Sequence, residues 1–135
     1  MARFVIDAPT LVHIVTTETP VHPSHSIVAP NAIRSQALTM LLAAVNVGTM
    51  TEERARSLHE RMTGLKMRLL GDRVSRWVAW TIARSHGWTD LTDAEYLAIT
   101  QLQADALITI DERFAVAAAG IVPLAELADL TMPDR

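Results

Sequence analysis

The chain alternates short apolar runs with longer stretches in which apolar residues recur every three or four positions. The runs predict strands at Arg3–Ile6, 26–29, 65–70, 106–110 and 121–122, since short continuous apolar runs are typical of strands buried on both faces. The prolines around 26–29 favour an edge position for that strand. Helical spacing predicts helices directly after Asp7 and at 31–47, 51–64, 72–86, 92–102 and 112–119.

This alternation indicates an α/β protein whose sheet is mainly parallel, because parallel neighbours need crossover connections that cover both faces of the sheet. A chain of 135 residues is expected to form a single domain, over residues 1–135. In such sheets, ligands bind outside the carboxyl ends of the strands. Asp7 follows the first strand and Asp111 follows the run at 106–110, so both are expected at that edge.

The amino-acid composition and the absence of certain motifs exclude several classes of function. Cysteine is absent, which excludes disulfide frameworks, thiolate metal sites and cysteine nucleophiles. There is no glycine-rich phosphate loop and no serine-nucleophile motif. Asp7 and Pro9 interrupt the first apolar stretch, and no later run approaches about 18 apolar residues. We therefore expect a cytoplasmic protein that does not cross a membrane.

Charge is distributed unevenly, although the formal net charge is only -3. Eight basic and two acidic residues lie between Arg54 and Arg84, whereas nine acidic residues and two arginines lie from Asp90 to the end. A basic face can bind a polyanion, and an acidic face can bind hard cations. The alternative is a pair of solvated helix surfaces, as the i, i+4 pair Glu52 and Arg56 illustrates.

Three aspartates are the main candidates for chemistry. Asp7 and Asp111 each end a predicted strand, and Asp93 opens a predicted helix. If the fold brings them together, their charges repel by about 4 kcal/mol per pair at an effective dielectric near 20, and a cation would relieve the repulsion. Mg²⁺ or Mn²⁺ suits a ligand set made only of oxygen atoms, and such ions commonly act in phosphodiester cleavage.

Each aspartate also has a purely structural interpretation. Asp93 and Asp111 stand where helices begin, and a cap or first-turn acid typically stabilises a helix by about 1 kcal/mol. Asp93 lies within Thr-Asp-Ala-Glu at 92–95, which has the pattern of a capping box. Asp7 is harder to explain in this way, because it follows a strand of the buried type and precedes an Ala-Pro turn.

Three tryptophans are candidates either for base stacking or for ordinary packing. Trp77 shares an apolar stripe of the helix at 72–86 with Val74, Val78 and Ile82, which predicts a position in the core. Trp80 and Trp88 are compatible with the core, with a partner contact or with stacking on bases.

Four short blocks, taken in order, resemble the PIN domain family. They are Val-Ile-Asp-Ala at 5–8, Ala-Pro at 29–30, Thr-Asp-Ala-Glu-Tyr-Leu-Ala at 92–98, and Leu-Ile-Thr-Ile-Asp at 107–111 followed by Arg113 and Phe114. Within the family, the chain looks most like the VapC-like ribonuclease toxins of bacterial toxin–antitoxin pairs. The resemblance covers nearly the whole chain and implies a three-layer PIN-like fold, with a mainly parallel central sheet flanked by helices.

The resemblance also implies a metal-dependent ribonuclease site. PIN domains use four acidic positions around Mg²⁺ or Mn²⁺ to hydrolyse RNA, and Asp7, Asp93 and Asp111 match three of them. Thr109 matches a hydroxyl position that supports the site. The remaining position, six residues after the proline of Ala-Pro, is usually glutamate and is Gln36 in this chain.

Glutamine keeps one carbonyl oxygen but removes a negative charge, so weaker metal binding is expected. Two hypotheses follow. The chain is a Mg²⁺- or Mn²⁺-dependent endoribonuclease toxin, with Arg34 and Arg113 as candidate RNA contacts, or it is a catalytically degenerate PIN domain that binds RNA or protein without cutting. The resemblance further implies a small antitoxin partner and a homodimer, for which the apolar helices over 31–64 are a candidate interface.

Overall fold

A five-stranded parallel sheet forms the centre of the computed structural model, which describes residues 1–133. The strands are β1 (Arg3–Ile6), β2 (Ser26–Pro30), β3 (Arg68–Leu70), β4 (Ala106–Ile108) and β5 (Leu124–Ala125), in the order β3-β2-β1-β4-β5. Val5, Ile6 and Leu107 on the two middle strands are fully buried. The predicted α/β class is confirmed, and the sheet is parallel throughout.

Helices cover both faces of this sheet and give a three-layer α/β/α arrangement. The described chain contains α1 (Ala8–Thr17), α2 (Ile33–Asn46), α3 (Glu52–Gly64), α4 (Arg73–His86), α5 (Thr92–Gln103), α6 (Glu112–Ala118) and α7 (Leu127–Thr131). Helices α1, α2 and α3 pack against one another, whereas α5 packs on β1, β2 and β4 and against α4. Within residues 1–133, no helix combines the length and the apolar character needed to cross a membrane.

The strand order places a topological switch point between β1 and β4. The chain moves from β1 through β2 to β3 on one side, and then returns to place β4 on the other side of β1. In open parallel sheets, the crevice at the carboxyl ends of such a strand pair is the usual ligand site. Ile6 pairs with Ile108 in the β1–β4 register, so the residues that follow both strands emerge at this crevice.

Aspartate caps the three helices that begin directly after β1, β3 and β4. Asp7 caps α1, Asp72 caps α4 and Asp111 caps α6, and each side chain accepts backbone N–H groups from the first turn of its helix. These donors have no partner within the helix, so an aspartate at this position stabilises the helix start. The cap interpretation of Asp111 is confirmed, and because Asp111 is exposed its carboxylate also remains accessible.

Strand β2, predicted at 26–29 as an edge strand, is an internal strand of the sheet. It runs from Ser26 to Pro30, between β3 and β1. Pro30 lacks an N–H group but stands at the last residue of the strand, where the ladder ends, so the sheet loses little pairing. The run at 65–70 pairs only over Arg68–Leu70.

The last strand also begins later than predicted. The N–H groups of Ile121 and Val122 both donate to the carbonyl of Ala118, at 2.9 and 3.2 Å, so these residues complete the end of α6 and do not join the sheet. Pairing with β4 starts at Leu124.

Helix α4 turns a different face to the core than the predicted stripe. Trp77 is 63% exposed and Val74 is 56% exposed. The buried positions are Ser75, Ala79, Ile82 and Ala83. Small side chains at i, i+4 and i+8 allow α4 to approach α5 closely, so the bulky residues lie on the solvent side. The predicted core position of Trp77 is wrong.

Helix α5 begins without the predicted capping box. Leu91 is the N-cap residue and makes no side-chain cap bond, and Thr92 already lies within the helix. Asp90 Oδ1 accepts the N–H of Thr92 at 2.9 Å, so an aspartate one position before Leu91 satisfies this donor.

Candidate active site

The three predicted aspartates lie around the switch point, at the carboxyl edge of the sheet. Asp7 directly follows β1, and Asp111 stands between β4 and α6. Asp93 is in the first turn of α5, the helix that packs on β1, β2 and β4. The fold therefore brings to one crevice three carboxylates that are far apart in the sequence.

Asp7 is the buried member of this set and is only 4% exposed. Its Oδ1 accepts the hydroxyl of Thr10 and, at 3.2 Å, the backbone N–H of Thr10. Its Oδ2 accepts the hydroxyl of Thr109 at 2.6 Å. Burial raises the pKa of Asp7 above its ordinary value, although these hydrogen bonds act in the opposite direction. The protein therefore compensates the charge on this carboxylate only in part, as is typical of functional sites.

Two threonine hydroxyls connect the end of β1 to the end of β4. The Thr109 hydroxyl donates to Asp7 and accepts the backbone N–H of Asp111 at 3.0 Å. The Thr10 hydroxyl donates to Asp7 and accepts the backbone N–H of Ile110 at 3.1 Å. The position predicted to support the site is thus in direct contact with Asp7, and both hydroxyls fix its orientation.

Asp93 and Asp111 are exposed at the rim of the crevice. Partial burial raises the pKa of Asp93, and the charges of Asp90, Asp111 and Asp7 raise it further. Asp111 Oδ1 accepts the backbone N–H of Arg113 at 3.0 Å, as part of its cap role. The mutual effect of these carboxylates favours a proton or a cation in the crevice.

Gln36 reaches the site through Tyr96. It is half-buried on α2, and its Oε1 accepts the hydroxyl of Tyr96 on α5. Burial raises the pKa of Tyr96, and the negative charges of Asp7 and Asp93 raise it further, so the phenol stays protonated and acts as the donor. Gln36 is therefore hydrogen-bonded to a residue whose pKa responds to the charges of Asp7 and Asp93, and its neutral amide adds no charge to the site.

The roles of Thr10 and Tyr96 were not predicted, although each residue has a signal in the sequence. Thr10 is the third residue of the helix that Asp7 caps, the position whose N–H a cap side chain accepts. Tyr96 follows Asp93 by three residues, which places both on one side of α5.

The two arginines predicted to contact RNA differ in availability. Arg34 is half-buried on α2 and donates through Nη2 to the carbonyl of Leu65 at 3.4 Å. Arg113 is exposed in the first turn of α6, two residues after Asp111. Of the two, Arg113 is the better placed to meet a phosphate at the crevice.

The donor chemistry of the crevice fits Mg²⁺ or Mn²⁺, since carboxylate and hydroxyl oxygens are what these ions prefer. Burial is the first cause of the raised pKa of both Asp7 and Asp93, so their ionised forms are disfavoured, and a bound cation would favour those ionised forms. Within residues 1–133, however, no three His, Cys, Asp or Glu side chains are close enough together to hold one ion. Mg²⁺ commonly uses one or two carboxylates together with waters and substrate phosphates, and the crevice suits that mode.

Comparison with known proteins supports the fold alone. No model of a known protein family matches the chain, and no curated protein matches it in sequence. Among solved structures, the chain is similar to the crystal structure of PAE2754 from Pyrobaculum aerophilum, with a TM-score of 0.73 and 16% sequence identity. The match covers 96% of this chain and 94% of that one. At this identity, the similarity establishes the shared α/β architecture.

Proposed function

We propose that this chain is a divalent-metal-dependent endoribonuclease of the PIN type, and the toxin of a toxin–antitoxin pair that acts on RNA in the cytoplasm. The observation that carries the proposal is the position of Asp7, Asp93 and Asp111 at one switch-point crevice, where burial raises the pKa of Asp93 and the charges of Asp90, Asp111 and Asp7 raise it further. Like charges are costly to hold together unless the site uses them. Carboxylates in this position are suited to a metal and a phosphate.

Within this proposal, each residue of the crevice has a distinct task. Bound Mg²⁺ or Mn²⁺ supplies activation of water and stabilisation of the charge that develops on the phosphate. Asp7, oriented by Thr10 and Thr109, would bind the ion directly, and the rim carboxylates of Asp93 and Asp111 would bind it directly or through water molecules. Water attacks phosphorus, the bond from phosphorus to O3′ breaks, and the products carry a 5′-phosphate and a 3′-hydroxyl.

Gln36 favours a second candidate, a PIN domain that binds RNA or protein without cutting. Its amide takes the place of the expected glutamate and accepts a hydrogen bond from the neutral Tyr96 hydroxyl. In addition, no group of three ligating side chains is preassembled in the described part of the chain. Loss of one carboxylate and an open arrangement of the others both weaken metal binding.

Exposed apolar side chains on α2 support a protein partner for either candidate. Leu38 and Leu42 are 41% and 59% exposed and line a groove of about 480 Å³ between α2 and α3. Contiguous apolar surface of this kind is typical of interaction sites. We assign the groove to a small antitoxin. A second copy of the chain is the other outcome, and light scattering of the wild type and of Leu42→Glu separates the two.

The decisive experiment combines metal titration by calorimetry with an RNA-cleavage assay on the same samples. The variants are Asp7→Asn and Gln36→Glu, and Glu60→Gln on the exposed surface of α3 is the control for a change of one charge. The nuclease proposal expects saturable metal binding and metal-dependent cleavage in the wild type and in Glu60→Gln, and loss of both in Asp7→Asn. Circular dichroism checks that each variant is folded.

The same samples identify the alternatives. A wild type that neither binds metal nor cleaves, together with a Gln36→Glu variant that gains metal binding, establishes the degenerate module. Cleavage that survives unchanged in Asp7→Asn contradicts the proposed site.

A further inference from the structure

Helix α4 presents two stacked tryptophans to solvent. The rings of Trp77 and Trp80 are nearly parallel, with an interplanar angle of 6° and a centroid separation of 5.6 Å. The two residues are 63% and 46% exposed. Exposed aromatic rings on a water-facing helix surface cost free energy through hydration, so such a pair in a folded domain is typical of a binding surface.

The surroundings of this aromatic pair are basic. Arg73 and Arg76 line the same shallow depression of about 570 Å³ as the two tryptophans. Neither arginine forms an ion pair within residues 1–133, but the pKa of Asp72, the N-cap, is lowered first by the backbone N–H of Ser75 and also by the charge of Arg76. The segment Arg73–His86 contains three arginines and no acidic residue. The surface therefore offers an excess of positive charge beside open aromatic rings.

The surface formed by Arg73, Arg76, Trp77 and Trp80, called here the basic aromatic surface, adjoins the carboxyl edge of the sheet. Arg76 also lines a cavity of about 190 Å³ together with Pro30 at the end of β2, Leu70 at the end of β3, and Glu95 on α5. Glu95 lies two residues after Asp93 in the first turn of that helix. Arg76 therefore borders both this cavity at the carboxyl edge of the sheet and the surface that carries the tryptophans.

We propose that Trp77 and Trp80 form a stacking platform for the unpaired bases of single-stranded RNA, with Arg73 and Arg76 binding the adjacent phosphates. The inference rests on the proposed nuclease function and adds to it a surface on α4, outside the crevice, that binds the bases of the substrate. Stacking on aromatic rings beside a cationic groove is the usual way in which proteins bind single strands without sequence preference.

Charge favours RNA over a second copy of this chain as the occupant. In a two-fold symmetric dimer built on this patch, the same surface is used by both copies, so the α4 helices, which carry three arginines and no acidic residue each, would lie close to one another. Repulsion between like charges opposes such an interface. RNA phosphates, in contrast, neutralise the arginines while the bases cover the rings.

The test measures binding of a twelve-nucleotide oligouridylate and of an RNA duplex of the same length, in EDTA so that no strand is cut. The wild type should bind the single strand in preference to the duplex. Trp77→Ala/Trp80→Ala should bind the single strand about 5- to 150-fold more weakly, which corresponds to one lost base stack. Trp77→Phe/Trp80→Phe keeps aromatic rings and should recover most of the affinity, while Trp88→Phe is the control outside the pair.

Salt dependence tests the arginines separately. Arg73→Gln/Arg76→Gln should reduce the slope of log K against log salt concentration by about 1.4, since each phosphate contact to a single strand contributes about 0.7. Arg84→Gln, at the other end of the same helix, should leave the slope unchanged.

Several outcomes overturn the platform. They are wild-type protein that does not bind the oligouridylate, equal affinity in the Trp77→Ala/Trp80→Ala variant, or conversion of a dimer into a monomer by that variant in light scattering. These outcomes do not depend on the metal-binding and cleavage results. Likewise, the binding measurements in EDTA do not require cleavage activity, so each proposal can be refuted without the other.

Discussion

Replacement of Thr109 by valine tests the hydrogen-bond network that orients Asp7. Valine keeps the shape of the side chain but removes the hydroxyl that donates to Asp7 Oδ2 at 2.6 Å and accepts the N–H of Asp111 at 3.0 Å. The Thr109 bond lowers the pKa of Asp7, so its loss moves that pKa further above the ordinary value. Thr109→Ser retains the hydroxyl and is the matched control.

The expected cost depends on the protonation state of Asp7. When Asp7 is ionised, the lost bond is one to a charged acceptor and contributes about 1.5–3 kcal/mol to the free energy of unfolding. When Asp7 is protonated, the lost bond is neutral and contributes about 0.5–1.5 kcal/mol. The difference in stability between wild type and Thr109→Val should therefore grow as pH rises through the folded-state pKa of Asp7.

Urea unfolding at several pH values, followed by circular dichroism, measures this difference. With an m-value of about 2 kcal/mol per molar urea, a loss of 2 kcal/mol lowers the midpoint by about 1 M. Thr109→Ser should stay near the wild type. An equal loss of unfolding free energy in Thr109→Val at all pH values, or an equal destabilisation of Thr109→Ser, would refute the role of the Thr109 hydroxyl.

Three further predictions concern the aspartates, metal binding and the N-cap of α4. The first compares metal-free wild type with an Asp7→Asn/Asp93→Asn variant. Because burial disfavours the ionised forms of both aspartates, the wild type should lose unfolding free energy, relative to the variant, as pH rises from below 3.8 through their raised pKa values. A difference in unfolding free energy that does not depend on pH in urea titrations contradicts this prediction. Mn²⁺ at about 100 times its Kd should stabilise the wild type by about 2.7 kcal/mol in thermal melts, and EDTA or Asp7→Asn should remove the gain. Asp72→Ala should cost about 1 kcal/mol through loss of the α4 capping box, whereas Asp72→Asn should retain most of the wild-type melting temperature.

Local sequence pattern was sufficient to locate the two strands that form the crevice, although the run predicted at 106–110 pairs only as far as Ile108. Arg3–Ile6 and Ala106–Ile108 are continuous apolar runs that the sheet buries, and each is followed by an aspartate that caps the next helix. Because helix caps and strand ends both have local signatures, Asp7 and Asp111 could be placed at the carboxyl edge from the sequence. Their adjacency depends on β1 pairing with β4, which no local pattern encodes.

Features that depend on packing between elements could not be predicted in this way. The buried face of α4 is determined by its contact with α5. The small residues Ser75, Ala79 and Ala83 are buried there, whereas Trp77 of the predicted apolar stripe is exposed. The bond between Tyr96 and Gln36 joins α5 to α2 across 60 residues. In both cases, the deciding contact lies in another part of the chain.

The bond between Asp7 and Thr109 spans 102 residues, and this separation governs when the crevice can first exist during protein synthesis. A ribosome adding about 5–20 residues per second makes these two residues roughly 5–20 s apart. Strands β2 and β3 can assemble on one side of β1 during that interval, while the opposite edge of β1 stays open until β4 emerges. A nascent chain that stops before Ala106 therefore carries Asp7 without Thr109 and exposes an unpaired edge of β1, which is a hazard for aggregation and not a partial activity.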